Sequence, residues 1–419
     1  KEPNHWKSGV GNPHHLNQCA RRLRKQLTMA DFVVWLASTL VIFSIIFFIF
    51  GCIVGSFLNV VIHRLPREMS VANPPSHCPQ CNYTIPWYQN IPLITWAWQR
   101  GKCAGCELPI SIRYFLVELL TGLSFLGGWL LVYYHFASGN DPFITQPIFA
   151  AIVTLAIVTL LGGLIASTFI DLEHFIIPDE LTKGGMVVGV IFSVLAPQLH
   201  GAFLGEQISR GSALVYSLLG IACGGAIIYA VVRMGKALFG KQTFNSNKPV
   251  KVTFATHAMH MAAEEDEEDL ELLYEEIFYR SGDTITLHAE HVELIDRCLW
   301  NQDIAITAEA AKIGTKEFKP GDIPHMEVTT TEVVVPREAM GFGDVKFMAA
   351  IGAFLGWQAT VFSLMFSAVL GAIVGTLIMA TRKDNANIIP YGPYIALAAV
   401  IWIFGGYQLW DWWWGGLKP

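Results

Sequence analysis

Two carboxylates stand where an apolar chain does not ordinarily hold them. Asp171 ends one apolar run, and Asp344 heads another in Gly341-Phe342-Gly343-Asp344. A carboxylate at a bilayer boundary is costly unless something offsets it, so two of them read as a functional pair. Peptide hydrolysis needs one carboxylate as base for an attacking water and one protonated acid to assist the carbonyl oxygen and the leaving amine. Adjacent aspartates sharing one proton provide both, because like charges a few ångströms apart cannot both ionise cheaply. The expectation is a membrane-embedded aspartic protease with Asp171 and Asp344 as its catalytic groups. Glycines at 341 and 343 permit a close approach that a Cβ would block, although such a string alone is equally a turn with a capping Asp.

A second constellation is Cys78-Pro79-Gln80-Cys81 and Cys103-Ala104-Gly105-Cys106. Each two-residue spacer lets a tight turn aim both sulfurs at one point, and four thiolates in a tetrahedron match a closed structural zinc site. Two disulfides are the competing reading, and placement on the cytoplasmic side argues against them. The loop holds little apolar bulk beyond Ile85, Trp87, Tyr88 and Trp96, so a metal would supply folding energy that a core cannot. Cys19, Cys52, Cys223 and Cys298 show no such spacing. Just upstream, Asn59 and His63 lie four apart and share a helix face; they suit a ligand or the cysteine loop as well as an ordinary interhelical hydrogen bond.

Lipid is the solvent that positions these groups. Of 419 residues, 53% are hydrophobic and 15% charged, with a mean hydropathy of +0.43, too oily for an ordinary soluble domain. Apolar stretches at about 32–62, 114–134, 147–170, 184–196, 211–234, 345–356, 358–380 and 394–410 predict a polytopic all-α membrane protein of about eight helices. Gly-Gly pairs at 162–163, 184–185 and 224–225 suit close helix packing. Residues 241–338 carry 20 acidic and 9 basic side chains, a net charge of −11, whereas the remainder carries 14 and 19, or +5. That acidic block reads as a separate, soluble α+β insert. It has period-two stretches at 250–254 and 283–287 and a helical acidic run around 264–279, of which Glu264–Asp269 read as a solvated segment.

Six elements follow: an N-terminal extension of uncertain status (1–31), a first span (32–62), a four-cysteine zinc loop (63–112), spans two to five with Asp171 (113–240), the insert (241–338), and spans six to eight with Asp344 (339–419). Arg64, Arg67, Arg100, Lys102, Arg113, Lys183, Arg382 and Lys383 mark the cytoplasmic loops by the positive-inside rule. Both aspartates then fall at cytoplasmic helix ends, together with the zinc loop and the insert. Arg21, Arg22, Arg24 and Lys25 break the pattern, and with Met29 just before the first apolar run, residues 1–28 read as an upstream or processed segment. Asp179 sits where the next helix needs a cap, Glu173 and His174 face headgroups or water, Lys346 reads as a headgroup anchor or a tuner of the pair, and Ile389-Pro390-Tyr391-Gly392-Pro393 as a rigid turn into the last span.

In order along the chain, these residues resemble the type IV prepilin peptidases, bifunctional leader peptidases and N-methyltransferases of the Gly-x-Gly-Asp class. The resemblance rests on Gly55-Ser56-Phe57-Leu58-Asn59-Val60, the paired cysteine loop with Asn90-Ile91-Pro92 and Ile110-Ser111-Ile112-Arg113-Tyr114, Asp171 with Ile177-Pro178-Asp179, and Gly341-Phe342-Gly343-Asp344 with Gly352-Ala353-Phe354-Leu355-Gly356-Trp357. It covers about 50–235 and 340–395. It implies that Asp171 and Asp344 are catalytic and that Cys78, Cys81, Cys103 and Cys106 hold a metal. It further implies prepilin or type II secretion pseudopilin substrates, cut between a basic leader and the apolar mature helix, then methylated with S-adenosylmethionine at the inner membrane. No nucleic-acid partner is implied, and the sequence leaves the oligomeric state and the methyl-donor pocket unassigned. The insert before Gly341 is longer than this region usually is in that family. A transporter or scaffold using intramembrane carboxylates is the alternative; it predicts repeat symmetry that the sequence does not show.

Overall fold

The computed structural model describes residues 40–138, 147–200, 208–261, 270–278, 283–294, 296–319, 325–336, 341–381 and 390–415. The extension (1–31), Glu264–Asp269, Arg382 and Lys383 lie outside the described residues. Two compact units emerge: residues 1–224 with 346–419, and residues 225–345.

Helices make up the first unit because a chain in hydrocarbon must satisfy its backbone internally. They are α1 (Leu40–Arg67), α2 (Ile94–Trp98), α3 (Ile112–Ser138), α4 (Pro147–His174), α5 (Asp179–Leu195), the first half of α6 (Arg210–Phe239), most of α8 (Phe342–Thr381), α9 (Gly392–Ile401) and α10 (Tyr407–Gly415). Six stretches among the described residues are long and apolar enough to cross a membrane: α1, α3, α4, α6, α8, and Gly392–Trp414, which joins α9 to α10 through a π-helical turn at Trp402–Gly406. The first apolar helix continues past 62 to Arg67.

Two of the eight expected segments are not counted separately among these six. The 184–196 stretch lies in α5, whose 17 residues sit at the lower end of the roughly 17–25 that span a bilayer. The 345–356 and 358–380 stretches are halves of α8, bent at Gly356, whose φ of 83° and ψ of 178° are non-helical. The bend removes the helical partner of the Ala353 carbonyl, and two hydroxyls replace it: Ser217 Oγ at 2.7 Å and Ser193 Oγ at 3.1 Å.

The central helix is α4, packed against α3, α5 and α9; 72% of its apolar window is buried, against 17% for α1. Backbones approach at glycines, though mostly not at the expected pairs. A Cβ at Gly55 would stand 2.7 Å from Glu118 Cα, and one at Gly220 2.0 Å from the Gly352 oxygen, whereas Gly162, Gly163 and Gly184 have nothing within 4 Å.

The second unit is an antiparallel sheet in the order β3-β2-β1-β8-β4-β5-β6-β7. Its strands are β1 (Lys241–Phe254), β2 (Ala258–Met261), β3 (Leu270–Leu273), β4 (Ile285–Leu294), β5 (Cys298–Ile306), β6 (Ala311–Ile313), β7 (Lys316–Phe318) and β8 (Met326–Pro336). Alternation builds the core: Ile285, Leu287 and Ala289 of β4 are buried while Thr286, His288 and Glu290 face out. The expected helical run over 264–279 is not met in its described part, where 270–273 form β3 and a single helical turn, α7 (Tyr274–Ile277), follows. Sheet pairing of Leu270–Leu273 with Ala258–Met261 overrides local helix preference, so the described insert is nearly all β. Within this unit Lys236 of α6 pairs with buried Asp283 at 2.9 Å.

Candidate active site and metal centre

Asp171 lies one turn inside the end of α4 and is buried. Just beyond it comes a polar layer: Glu173 pairs with Arg113 at the start of α3, and His174 Nε2 lies 3.4 Å from Arg67 Nη1 at the end of α1. The Asp171 side chain itself is held from another direction. Its Oδ2 accepts the Gly392 N–H at 2.9 Å. Gly392 opens α9, so its N–H is one of the donors a helix leaves unpaired at its start, and the positive end of the helix faces the carboxylate. A Cβ there would stand 2.6 Å from that oxygen. Glycine is thus a requirement of the contact, and the sequence, which offered only a rigid turn here, does not disclose it.

Asp344 is the third residue of α8, buried, with its N–H bonded to the Gly341 carbonyl at 3.3 Å. It closes the second unit, whereas Asp171 belongs to the first. Two residues on, Lys346 Nζ pairs with Asp179 Oδ1, and Asp179 Oδ2 pairs with Lys183 Nζ at 2.6 Å. Lys346 is therefore a tie between α8 and α5 and not a headgroup anchor. Asp179 is the first residue of α5, with Pro178 as its cap, because its carboxylate is taken up by the lysines. Hydrogen bonds from Lys183 and then Lys346 hold the Asp179 carboxyl below its usual range. A depressed pKa stabilises the fold above the unfolded value of about 3.9 and ceases to do so as pH falls through the folded one. Asp179→Asn is expected to lower the thermal midpoint in detergent at pH 6, and to lower it progressively less as the pH falls below about 3.9; a loss that does not shrink on acidification would refute the tie.

The four cysteines converge on two equivalent turns. In one, Cys78 N–H bonds the Tyr83 carbonyl at 2.9 Å and Asn82 N–H returns to Cys78 at 2.9 Å; in the other, Cys103 bonds Leu108 at 2.9 Å and Glu107 returns to Cys103 at 3.0 Å. The left-handed residues match too, Asn82 at φ 57° and Glu107 at φ 60°. All four sulfurs are free thiols lying within 4.8 Å of one another, with Cys78 and Cys106 at 3.9 Å, so the disulfide reading fails. A tetrahedral ion with metal–sulfur bonds of about 2.3 Å needs edges of about 3.8 Å, which this set fits. N–H groups of Cys106 and Gly105 hold the Cys103 thiol down to about 7. Against the Tyr83 N–H, which lowers it, burial and the three neighbouring sulfurs push the Cys81 thiol up to about 12. A cation held among four sulfurs this close would favour their thiolate forms.

The loop is strapped to the helices beside it. Arg64 is buried and donates to the carbonyls of Ser70 (3.1 Å) and Pro74 (2.7 Å). Asn59 Nδ2 bonds the Tyr114 carbonyl at 3.0 Å, the interhelical alternative, while His63 is only partly buried. Glu118 of α3 accepts the Leu93 N–H at 2.8 Å. This last acid is absent from the sequence reading, although a lone carboxylate inside the 114–134 run is the same signal that singled out Asp171.

Two family models match the chain: the Bacterial Peptidase A24 N-terminal domain over residues 49–135, and the Type IV leader peptidase family over 157–242 and 326–376. The interruption between the latter pieces falls on most of the sheet. A prepilin leader peptidase/N-methyltransferase of Aeromonas hydrophila is 28% identical over 411 residues, covering 92% of this chain and 97% of that protein. A protein of the same description from Myxococcus xanthus is 41% identical over 154 residues, 36% of this chain and 40% of that one. A type 4 prepilin-like proteins leader peptide-processing enzyme of Escherichia coli is 36% identical over 167 residues, 34% and 53% respectively. No solved structure matches the chain.

Proposed function

Because the chain belongs to the type IV leader peptidase family, we propose that it is a membrane-embedded endopeptidase that removes the leaders of type IV prepilins or type II secretion pseudopilins and then N-methylates the new N-terminus. The observation that carries this reading is that the family match takes in both acid-bearing segments, Asp171 in 157–242 and Asp344 in 326–376.

Asp171 and Asp344 act as the catalytic pair. One carboxylate draws a proton from water as the oxygen attacks the scissile carbonyl; the other, protonated, donates to the carbonyl oxygen. The resulting diol collapses as the nitrogen takes up a proton, giving an acid and a free amine. The Gly392 N–H fixes one oxygen of Asp171 and leaves the other for water. Gly392→Ala is expected to push that carboxylate aside and slow leader release roughly 100-fold, the scale of a 1 Å misplacement; a rate equal to wild type would remove Gly392 from the site.

The amine so exposed is the acceptor for the second reaction, with S-adenosylmethionine as co-substrate. Cys78, Cys81, Cys103 and Cys106 would hold a structural zinc, which when bound supplies a rigid crosslink for a loop with little core. We assign eight membrane-crossing segments, counting α5 and each half of α8, in the inner membrane. The basic residues Arg64, Arg67, Arg113 and Lys183 put the aspartates, the metal loop and the acidic insert on the cytoplasmic side. Such placement suits a cleavage point where a substrate helix enters the bilayer. Purified protein in lipid, given a prepilin and labelled S-adenosylmethionine, is expected to release the leader and label the mature chain. An intact prepilin after prolonged incubation would overturn the reading.

A further inference from the structure

The metal loop carries an apolar face that its own core does not use. In α2, Thr95 and Trp96 turn inward: the Trp96 ring lies 5.3 Å from Phe115, and its Nε1 donates to the Ile110 carbonyl at 3.3 Å. Ile94, Ala97 and Trp98, at helical spacing on the other side, are exposed, Ile94 at 63% and Trp98 at 87%. Exposed apolar faces of this kind mark a contact surface.

The depth of this face decides what covers it. Arg113 and its partner Glu173 mark the polar boundary, and Glu118 lies five residues deeper along α3, about 8 Å at the helical rise. Yet Glu118 Oε2 receives the amide of Leu93, the residue that precedes α2. Leu93 is held at the centre of a strained γ-turn, φ 61° and ψ −49°, with Ile94 N–H turned back on the Pro92 carbonyl at 2.6 Å. The loop therefore folds back below the polar layer instead of standing out in water. The neighbouring α3 also carries exposed apolar residues, Ile112, Leu116 and Leu120, from its first turn onward. Exposed Arg100 and Lys102 follow α2 directly, with charge suited to anionic headgroups.

We propose that α2 is an interfacial helix, with Ile94, Ala97 and Trp98 seated at the headgroup–acyl boundary of the bilayer and the Glu118–Leu93 hydrogen bond setting its depth. An aromatic residue beside cationic ones is the side-chain chemistry that favours that boundary. The metal loop is then a membrane-docked element and not a free cytoplasmic domain, whatever reaction the protein carries out.

Photo-crosslinking from the full chain tests this. Benzoylphenylalanine replaces Trp98, whose exposure leaves little packing to lose, in vesicles of phosphatidylethanolamine and phosphatidylglycerol. Leu123, exposed in the middle of α3, is the lipid-facing reference, and Glu309, exposed in the turn between β5 and β6, the comparison. Lipid adducts at 98 are expected to match those at 123 and far exceed those at 309, and Glu118→Leu in the same protein is expected to reduce them. Adducts at 98 no higher than at 309 would overturn the proposal, as would capture of an added prepilin in place of lipid.

Discussion

Asp171→Asn and Asp344→Asn, each made singly, are expected to slow leader release by a factor on the order of 100 to 10,000, the range spanned by loss of a positioned acid or base. Both changes preserve side-chain volume, and an amide oxygen at 171 can still accept the Gly392 N–H, so the packing of α4 against α9 should survive. What the amide cannot do is exchange a proton with water or with the opposite carboxylate. The double variant should fall no further than the worse single one, because groups that act as a unit lose their effect together. The check is leader release from a prepilin in lipid, with thermal unfolding matched to wild type. Either variant cleaving at the normal rate would take that residue out of the pair.

Cys78→Ser should have the second large effect, on the metal loop. Apparent zinc-binding energies in small four-ligand sites run to roughly 10–16 kcal/mol, and Ile85, Trp87, Tyr88 and Trp96 form no core able to replace that. Loss of the bound metal, measured as zinc per chain, should come with faster amide exchange across 77–110. Methyl transfer should collapse while leader release persists. Asp171 rests on α4 and α9, and Asp344 on the start of α8, none of which lies in the loop. Cleavage lost in parallel with methylation, in a protein that still unfolds cooperatively, would show that the loop serves both reactions. Full zinc retention would remove Cys78 from the tetrad.

Composition and local spacing are properties of the chain in one dimension, and they dictate what one dimension can. Apolar runs force helices wherever lipid is the solvent, because no other open structure there satisfies the backbone. The repeated Cys-x-x-Cys makes two like turns, since a two-residue spacer leaves little freedom. Asp171 stood out because a carboxylate is costly in such a run, and Glu118 carried that signal unread. The sheet was legible in the alternation of 250–254 and 283–287, but not at 270–273, where a partner strand overrides a helix-favouring sequence.

Partnership across long separations was left to the tertiary structure. Gly392 lies 221 residues from Asp171, and Lys346 lies 167 from Asp179; nothing local announces either contact. The Gly356 bend likewise divides α8 between its two apolar runs and recruits hydroxyls from α5 and α6 to the freed carbonyl. Which residue types could do chemistry followed from the sequence alone, because solvation cost and ligand geometry belong to each residue and its neighbours. Their orientation was decided only by the fold, because it depends on how closely distant helices pack, and at Gly392 that turns on the absence of a single Cβ.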